Sequence, residues 1–375
     1  MKKSYRIALV FGGRSGEHEV SLSSARSFLE AVDTTRFEIV PVGVTLSGRW
    51  FTGPNILEQL TERAALGTVP GESLPTDWLG LESVPPVPEP VDIPRPPERP
   101  HVLADVDVVF NLIHGTYGED GCLQGLFELL NVPYVGSGVL GSAVAMDKLI
   151  CKPILKAAGL EVVDHQGVTR GELERDRRAV IDRLESNLPY PMFVKPANLG
   201  SSVGVRKARG RDELSAALDT AAAYDRRLIV ERAVVGHELE CAVLGNDDPR
   251  ASVAGEIQPA GEFYDYDSKY VLESELLIPA PCVDEELLSR IRRDAVTAFR
   301  ALDCAGLARV DMFLETATDK LYLNEVNTLP GFTPISMYPK LWQASGLSYN
   351  QLVERLIELA LERYADAKRN LHRYL

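Results

Sequence analysis

Two segments near the C-terminal end carry the clearest chemical potential. Alternation with a period of two in ARVDMFL places Arg309, Asp311 and Phe313 on one face and Val310, Met312 and Leu314 on the other. The same alternation in LYLNEVN puts Leu321, Leu323, Glu325 and Asn327 on a common face. If the two strands pair across the short TATDK turn, Asp311, Glu325 and Asn327 converge as an all-oxygen site. Hard Mg2+ favours such donors, with water and substrate phosphates filling its other positions. A cross-strand ion pair of Arg309 with Asp311 or Glu325 at a sheet edge accounts for the same residues without chemistry. Spacing leaves both arrangements open.

The segment NLGSSVGV is rich enough in glycine and small hydroxyl residues to bring backbone N–H groups against a phosphate. It is not a Walker loop, because its glycines join two strands rather than opening a helix. An ordinary flexible hairpin reads equally well from this loop alone. Lys195 lies in the otherwise apolar strand before it, where an unpaired ammonium is costly, so an anion nearby is the better explanation. The first turn, GGRSGE, lacks the G-x-G-x-x-G spacing of a dinucleotide site. Glu17 begins the helix after it, where the helix dipole stabilises a carboxylate and where a substrate ammonium could also be anchored. His114 follows a buried strand and opens a glycine-containing turn, a usual place for substrate contacts in open α/β sheets. GEFYDYDSKY, with three tyrosines, three acids and Lys269, suits a lid over a reacting centre or a surface loop packed on its own domain. None of the six histidines has metal-ligand spacing and no G-x-S-x-G elbow occurs, so zinc hydrolysis and serine acyl transfer have no support.

These residues need a scaffold. The apolar run Arg6 to Phe11 reads as a strand buried on both faces of a parallel sheet. A helix over Ser21 to Val32 and a strand over Ile39 to Val44 complete a βαβ unit. Ten of the twenty-four prolines fall between Pro70 and Pro100, marking an extended insertion over about 68–100. The sheet resumes at Val106 to Ile113, followed by a helix over Cys122 to Leu130 and a short strand at Pro133, which closes a first α/β domain at residues 1–136. A second domain, 137–234, opens with a helix from about Ser142 that Pro153 interrupts. It continues with strands Met192 to Pro196 and Val203 to Lys207, a helix over Asp212 to Tyr224 and the strand Leu228 to Glu231. The third, 235–375, carries the strand Leu239 to Leu244, the tyrosine-rich loop, a helix over Glu285 to Leu302, the two chemistry-bearing strands and a final helix from Tyr349 to about Lys368.

Composition narrows the function. A chain of 375 residues is too long for one ordinary core, and two or three domains with a cleft between them are expected. Forty basic against fifty-four acidic residues give a net charge of −14, which disfavours nucleic acid as a partner. No apolar run approaches the ~20 residues that span a bilayer. Five scattered cysteines without a C-x-x-C pair read as reduced thiols, and the expected location is the cytoplasm.

Taken in order, GGRSGEHEVS, HGTYGEDG, MDKLICK, VKPANLGSSVGV, FYDYDSKY, ARVDMF and NEVNTLPGFTPISMYP resemble the D-alanine:D-alanine ligases of the ATP-grasp superfamily. The resemblance runs from about Arg6 to Leu361, omitting the proline-rich insertion. It implies a three-domain ATP-grasp fold: α/β overall, with an N-terminal parallel-sheet domain, an α+β central domain and ATP between the central and C-terminal domains. By position, Lys148 and Lys195 would meet the nucleotide and its phosphates, and the loop with Ser201 and Ser202 would cover the phosphates. Glu231 and Val234 would hold the adenine and Glu238 the ribose. Asp311, Glu325 and Asn327 would carry two Mg2+ ions, with Mn2+ as a substitute. Glu17 would bind the ammonium of the first D-alanine with His114 nearby, and Ser336 with the Met337 backbone would take the carboxylate of the second. Glu17, Ser201 and Tyr270 would join the first domain to the lid.

The implied reaction is ATP-dependent ligation of two D-alanines to D-alanyl-D-alanine for peptidoglycan precursor synthesis, releasing ADP and phosphate. The first carboxylate attacks the γ-phosphate, with Lys195 and Lys269 neutralising charge, and the second amine attacks the acyl phosphate. Arg309 and the Gly331 N–H would stabilise the oxyanion. A ligase with another acceptor, D-lactate or D-serine, is the alternative. The resemblance also suggests a homodimer.

Overall fold

The structure is a computed structural model that describes residues 5–53, 55–65, 103, 105–200, 202–258 and 275–371. The proline-rich stretch, Ser201, and the tyrosine-rich segment with Lys269 and Tyr270 lie outside the described residues.

The N-terminal sheet has the order β3-β2-β1-β4, with β1 (Tyr5–Gly12) parallel to β2 (Phe37–Val44) and to β4 (Val108–Asn111) and β3 (Trp50–Thr52) antiparallel at the edge. Ile7 to Phe11 are completely buried, which is why that run is continuously apolar rather than alternating. Helices α1 (His18–Ala31), α2 (Ile56–Ala65) and α3 (Cys122–Leu129) accompany this sheet. Expected as a strand, the segment at Pro133 makes only an isolated parallel bridge from Tyr134 to Val109.

Two helices follow, α4 (Val139–Met146) and α5 (Lys148–Ala157), where sequence alone suggests one helix interrupted at Pro153. The break falls at Asp147. Its backbone leaves helical geometry while its carboxylate accepts the N–H groups of Leu149 and Ile150, both at 3.1 Å, so it starts a new helix. Pro153 stays inside α5 and forfeits one backbone bond. Asp147 also pairs with Arg227, which ties the start of α5 to the neighbouring sheet.

That sheet has the order β5-β8-β6-β7, antiparallel throughout: β5 (His165–Thr169), β6 (Met192–Pro196), β7 (Arg206–Ala208) and β8 (Arg227–Arg232). Helices α6 (Arg170–Asn187) and α7 (Arg211–Tyr224) cover it. Strand β7 begins later than the sequence suggests because Ser202 and Gly204 adopt φ values of 57° and 73°, which keep the chain turning.

The third sheet runs β11-β10-β9-β12-β13, also antiparallel, from β9 (Gly236–Gly245), β10 (Arg250–Gln258), β11 (Glu275–Leu277), β12 (Gly306–Glu315) and β13 (Lys320–Asn327). One face packs on α8 (Glu285–Ala301) and on α4 and α5, whose Ala145, Cys151 and Leu155 share a core with Leu239, Met312 and Leu321. The closing helices α9 (Met337–Ala344) and α10 (Tyr349–Ala367) return to the N-terminal sheet. There the rings of Phe332 and Phe110 pack in a tilted arrangement with centroids 5.2 Å apart, and those of Phe110 and Phe28 at 4.9 Å. Segments distant in sequence thus share cores, which fixes the walls of the space between the sheets.

Candidate active site

A cleft of about 560 Å3 lies between the sheet containing β6 and β8 and the face of the third sheet turned away from α8. Its lining divides by chemistry: Lys148, Lys195, Glu231, Glu238, Glu240, Asp311 and Glu325 are charged, whereas Val163, Phe193, Val234, Ile257 and Phe313 are apolar. Ser202 and Gly200 of the glycine loop lie at its margin. An apolar slot continuous with a charged floor suits a ligand with a flat base at one end and charge at the other.

The floor is built by strand register. β12 pairs with β13 so that Asp311 faces Glu325 and Arg309 faces Asn327, while on its other side Asp311 faces Glu240 and Phe313 faces Glu238. The ion pair expected as the plainer reading is present inside this cluster. Arg309 grips Asp311 through two bonds of 2.7 Å and reaches Glu240 at 2.9 Å, and the Asn327 side-chain amide donates to Asp311 at 2.9 Å. Burial works against charge on Arg309, but Asp311 and Glu240 outweigh it and hold the guanidinium well above its ordinary range.

One part of the alternation argument does not hold. Register shifts between Asp311 and Met312, which faces Leu323, so Asn324 is the extra residue of a bulge in β13. Leu321 and Leu323 therefore point into the core, while Glu325 faces the cleft and Asn327 reaches Asp311, instead of all four sharing one face. Without that bulge Glu325 would be directed into a hydrophobic core.

A lysine holds the bulge in place. Lys152 of α5, with its side chain 1% exposed, donates to the Asn324 carbonyl at 2.9 Å and pairs with Glu231 at 2.7 Å. Glu231 is equally buried and pairs through its other oxygen with Lys195 at 2.6 Å. Burial would raise the Glu231 carboxyl, but the two ammonium groups bring it down to about 2. One helical turn before Lys152, Lys148 donates to the Leu199 carbonyl at 2.9 Å and approaches Glu325 at 3.2 Å. Three lysines thus converge where β6, β8 and β13 meet, each set by a carboxylate.

A second group of predicted residues gathers at the ends of β1 and β4. Ser15 donates to the His114 carbonyl at 2.7 Å and accepts from the Glu17 N–H at 3.1 Å, joining the first glycine turn to the second. His114 is buried; its Nδ1 donates to the Leu329 carbonyl at 3.1 Å and lies 3.6 Å from Glu119. Burial opposes the imidazolium, yet Glu119, with Glu17 beyond it, outweighs burial and raises the imidazole above its ordinary value. Glu17 reaches the glycine loop as well: a Cβ on Gly200 would lie 3.0 Å from its Oε1, and one on Gly115 only 2.6 Å away.

Ser336 occupies the N-cap position of α9, but its side chain makes no bond to the helix: its Oγ turns back to accept the Thr333 N–H at 3.1 Å and lies 2.7 Å from the Thr333 hydroxyl. Gly331 is next to it, where a Cβ would come within 3.1 Å of the same Oγ. The Met337 side chain is buried against Gly255, so only its backbone N–H, at the helix N-terminus, remains for an anion.

Family models match this chain over residues 6–137, described as the N-terminus of D-ala D-ala ligase, and over 154–358, described as its C-terminus. The chain belongs to the D-alanine–D-alanine ligase family. A D-alanine–D-alanine ligase of Natranaerobius thermophilus is 47% identical over 98% of both chains. Among solved structures, the VanG D-Ala:D-Ser ligase of Enterococcus faecalis superposes with a TM-score of 0.76 at 36% identity, covering 96% of this chain and 100% of that one. The D-alanine–D-alanine ligase of Bacillus anthracis, complexed with ATP, gives 0.70 at 28% identity, covering 97% of this chain and all, 100%, of that one. The fold is that of the ATP-grasp ligases.

Sequence reasoning missed four residues of this ligase fold's polar network: Lys152, Glu240, Ser15 and Glu119. For Lys152 a signal existed, since it stands four residues after Lys148 in MDKLICK and thus shares a helix face with it. Glu240 alternates with Glu238 along β9 and was equally open to period-two reasoning.

Proposed function

We propose that this chain is an ATP-dependent D-alanine–D-alanine ligase that works through an acyl phosphate and supplies D-alanyl-D-alanine for peptidoglycan precursors. The single observation that carries the residue assignment is the register that sets Asp311 against Glu325 and Arg309 against Asn327 beside the three lysines. The ATP complex of the Bacillus anthracis ligase supports ATP as the co-substrate here. Its base would occupy the apolar slot beside Val234 with Glu238 at the ribose, and its phosphates would lie along Lys148 and Lys195 under the loop that holds Ser201 and Ser202.

Besides the adenine contact implied by resemblance, Glu231 would aim Lys195 at the phosphates, because its carboxylate faces Lys152 and Lys195. Asp311, Glu325 and Asn327 offer two carboxylates and an amide oxygen on adjacent strands, a donor set that fits hard divalent cations, two Mg2+ or Mn2+ in their place. Such ions supply charge neutralisation on the transferred phosphoryl group.

The chain's own groups do the rest. Glu17 pairs with the ammonium of the first D-alanine, with His114 behind it, and so directs that carboxylate toward the γ-phosphate. Lys195 and Lys269 offset charge on the phosphoryl oxygens. Ser336 and the Met337 N–H receive the carboxylate of the second D-alanine, whose amine then attacks the acyl carbonyl. Arg309 and the Gly331 N–H stabilise the oxyanion, after which phosphate departs. Water would hydrolyse the acyl phosphate, so Glu17, Ser201 and Tyr270 joining the first domain to the GEFYDYDSKY lid would protect it.

D-alanine as acceptor is favoured over D-serine because the relative at 47% identity is a D-alanine–D-alanine ligase, while the D-Ala:D-Ser ligase is 36% identical. Association as a homodimer is supported by exposed apolar side chains on the adjoining helices α3 and α4: Leu126, Leu129, Val139 and Leu140. A cytoplasmic location accords with the absence, among the described residues, of any helix long and apolar enough to cross a membrane.

The test is phosphate release from ATP with D-alanine, L-alanine or no amino acid, with product masses from the same tubes. D-alanine-dependent release with a D-alanyl-D-alanine product is expected. Hydrolysis indifferent to the amino acid would overturn the reading, and a D-lactate or D-serine adduct formed in preference to the dipeptide would overturn the acceptor.

A further inference from the structure

Apart from the ligase machinery, one group of side chains at the rim of the cleft has a composition of its own. His237 at the start of β9, Glu256 near the end of β10 and Cys282 just after β11 each offer a ligand atom, and these atoms lie within 4.8 Å of one another. His237 Nδ1 donates to Glu256 Oε1 at 2.7 Å, and the Cys282 thiol hydrogen-bonds the same carboxylate. Glu256 is 5% exposed, and among the described residues no lysine or arginine forms a salt bridge with it. A carboxylate withdrawn from water and served, among the described residues, by a thiol and an imidazole is short of positive charge.

We infer that His237, Glu256 and Cys282 form a binding site for one thiophilic divalent cation of the Zn2+ class, separate from the all-oxygen cluster at Asp311. Charge balance supports this. A dication with one thiolate, one carboxylate and a neutral imidazole makes a site of zero net charge, and the only proton lost to solvent is that of the thiol. Donor chemistry gives the class: sulfur and imidazole nitrogen suit Zn2+, Co2+ or Cd2+, whereas Mg2+ prefers the oxygens of the other cluster. Three protein ligands leave a fourth position, and it opens on the nucleotide cleft, since His237 and Glu256 both line it. An ion there would tie β9, β10 and the chain after β11 together, directly beside Glu238.

The probe is Co2+, added to the full-length protein in excess Mg2+. One bound Co2+ per chain with a thiolate-to-cobalt charge-transfer band is expected. Cys282→Ser should abolish the band and weaken Co2+ retention by about tenfold or more, while Cys122→Ser, at the exposed thiol on α3, leaves both unchanged. His237→Ala should weaken retention to a similar degree. Since Cys282 has no part in the ligase chemistry, Cys282→Ser should keep the wild-type rate of D-alanine-dependent turnover with Mg2+, which reports that the fold is intact. Absence of a thiolate band in the wild type, or its persistence in Cys282→Ser, would overturn the inference.

Discussion

Replacing Lys152 by Met tests whether the buried lysine is what keeps Glu325 turned toward the cleft. The substitution preserves most of the side-chain volume and removes two contacts, the 2.7 Å pair with Glu231 and the 2.9 Å bond to the Asn324 carbonyl. Breaking a buried ion pair by removing one partner costs about 3–5 kcal/mol, and the lower end applies because Lys195 still neutralises the other Glu231 oxygen. The orphaned carbonyl adds about 1 kcal/mol, for a total of about 4 kcal/mol. That is a large share of the ~5–15 kcal/mol that holds a typical domain together, so urea unfolding monitored by circular dichroism will resolve it.

A second effect is particular to this arrangement. Once the bulge at Asn324 relaxes, Glu325 loses its aim, and the Mg2+ concentration for half-maximal turnover should rise by about tenfold or more. Lys156→Met, at an exposed position one turn further along α5, is the control and should stay within about 0.5 kcal/mol of wild type. If Lys152→Met matches Lys156→Met in both stability and Mg2+ requirement, the reasoning is wrong.

Three other outcomes are expected. Glu325→Gln, which removes charge without volume, should lower kcat by about two orders of magnitude while leaving the unfolding curve nearly unchanged; near-normal turnover with a normal Mg2+ requirement would refute its role. The Glu231 carboxyl is held at about 2, below its unfolded value of about 4.3, so its contribution to stability is present above that value and is lost as pH falls from about 4.3 toward 2. Glu231→Gln should accordingly be less stable at neutral pH and show a flatter acid limb, as measured by unfolding midpoints across that range. Gly118→Ala should destabilise by about 4 kcal/mol or prevent folding, because a Cβ there would lie 1.9 Å from the Ile113 carbonyl oxygen, a backbone atom that cannot swing aside. Soluble protein of wild-type unfolding midpoint would contradict that packing.

Much of the fold was legible because its signals are local. The apolar run at Ile7 to Phe11 announces a doubly covered strand, and the period-two pattern in ARVDMFL places Arg309 and Asp311 on one face, as found. The bulge was not legible. LYLNEVN alternates without interruption, and only the shift opposite Met312 reveals that Asn324 is an extra residue. Local chemistry also misled at Pro153, since the stronger determinant of the helix break was the capping carboxylate of Asp147, six residues earlier. Thr169 with Glu172 is a capping box that marks the start of α6, a helix missed because its mostly polar sequence carries a weak apolar stripe.

Contacts that join distant segments had no sequence signal at all. His114 bonding the Leu329 carbonyl, Lys152 reaching Asn324 and the His237, Glu256 and Cys282 cluster exist only because three sheets share their edges and cores. The histidines lack metal-ligand spacing along the chain, and the cluster is assembled instead by strands β9 and β10 with the turn after β11.

The central claim is that the first D-alanine carboxylate is phosphorylated before the amide bond forms. D-alanine labelled with heavy oxygen in its carboxylate, incubated with ATP and Mg2+, tests it directly through the mass of the released phosphate. An acyl phosphate passes one labelled oxygen to each phosphate released with D-alanyl-D-alanine, and that transfer is the predicted result. Dipeptide accompanied by unlabelled phosphate would contradict the account.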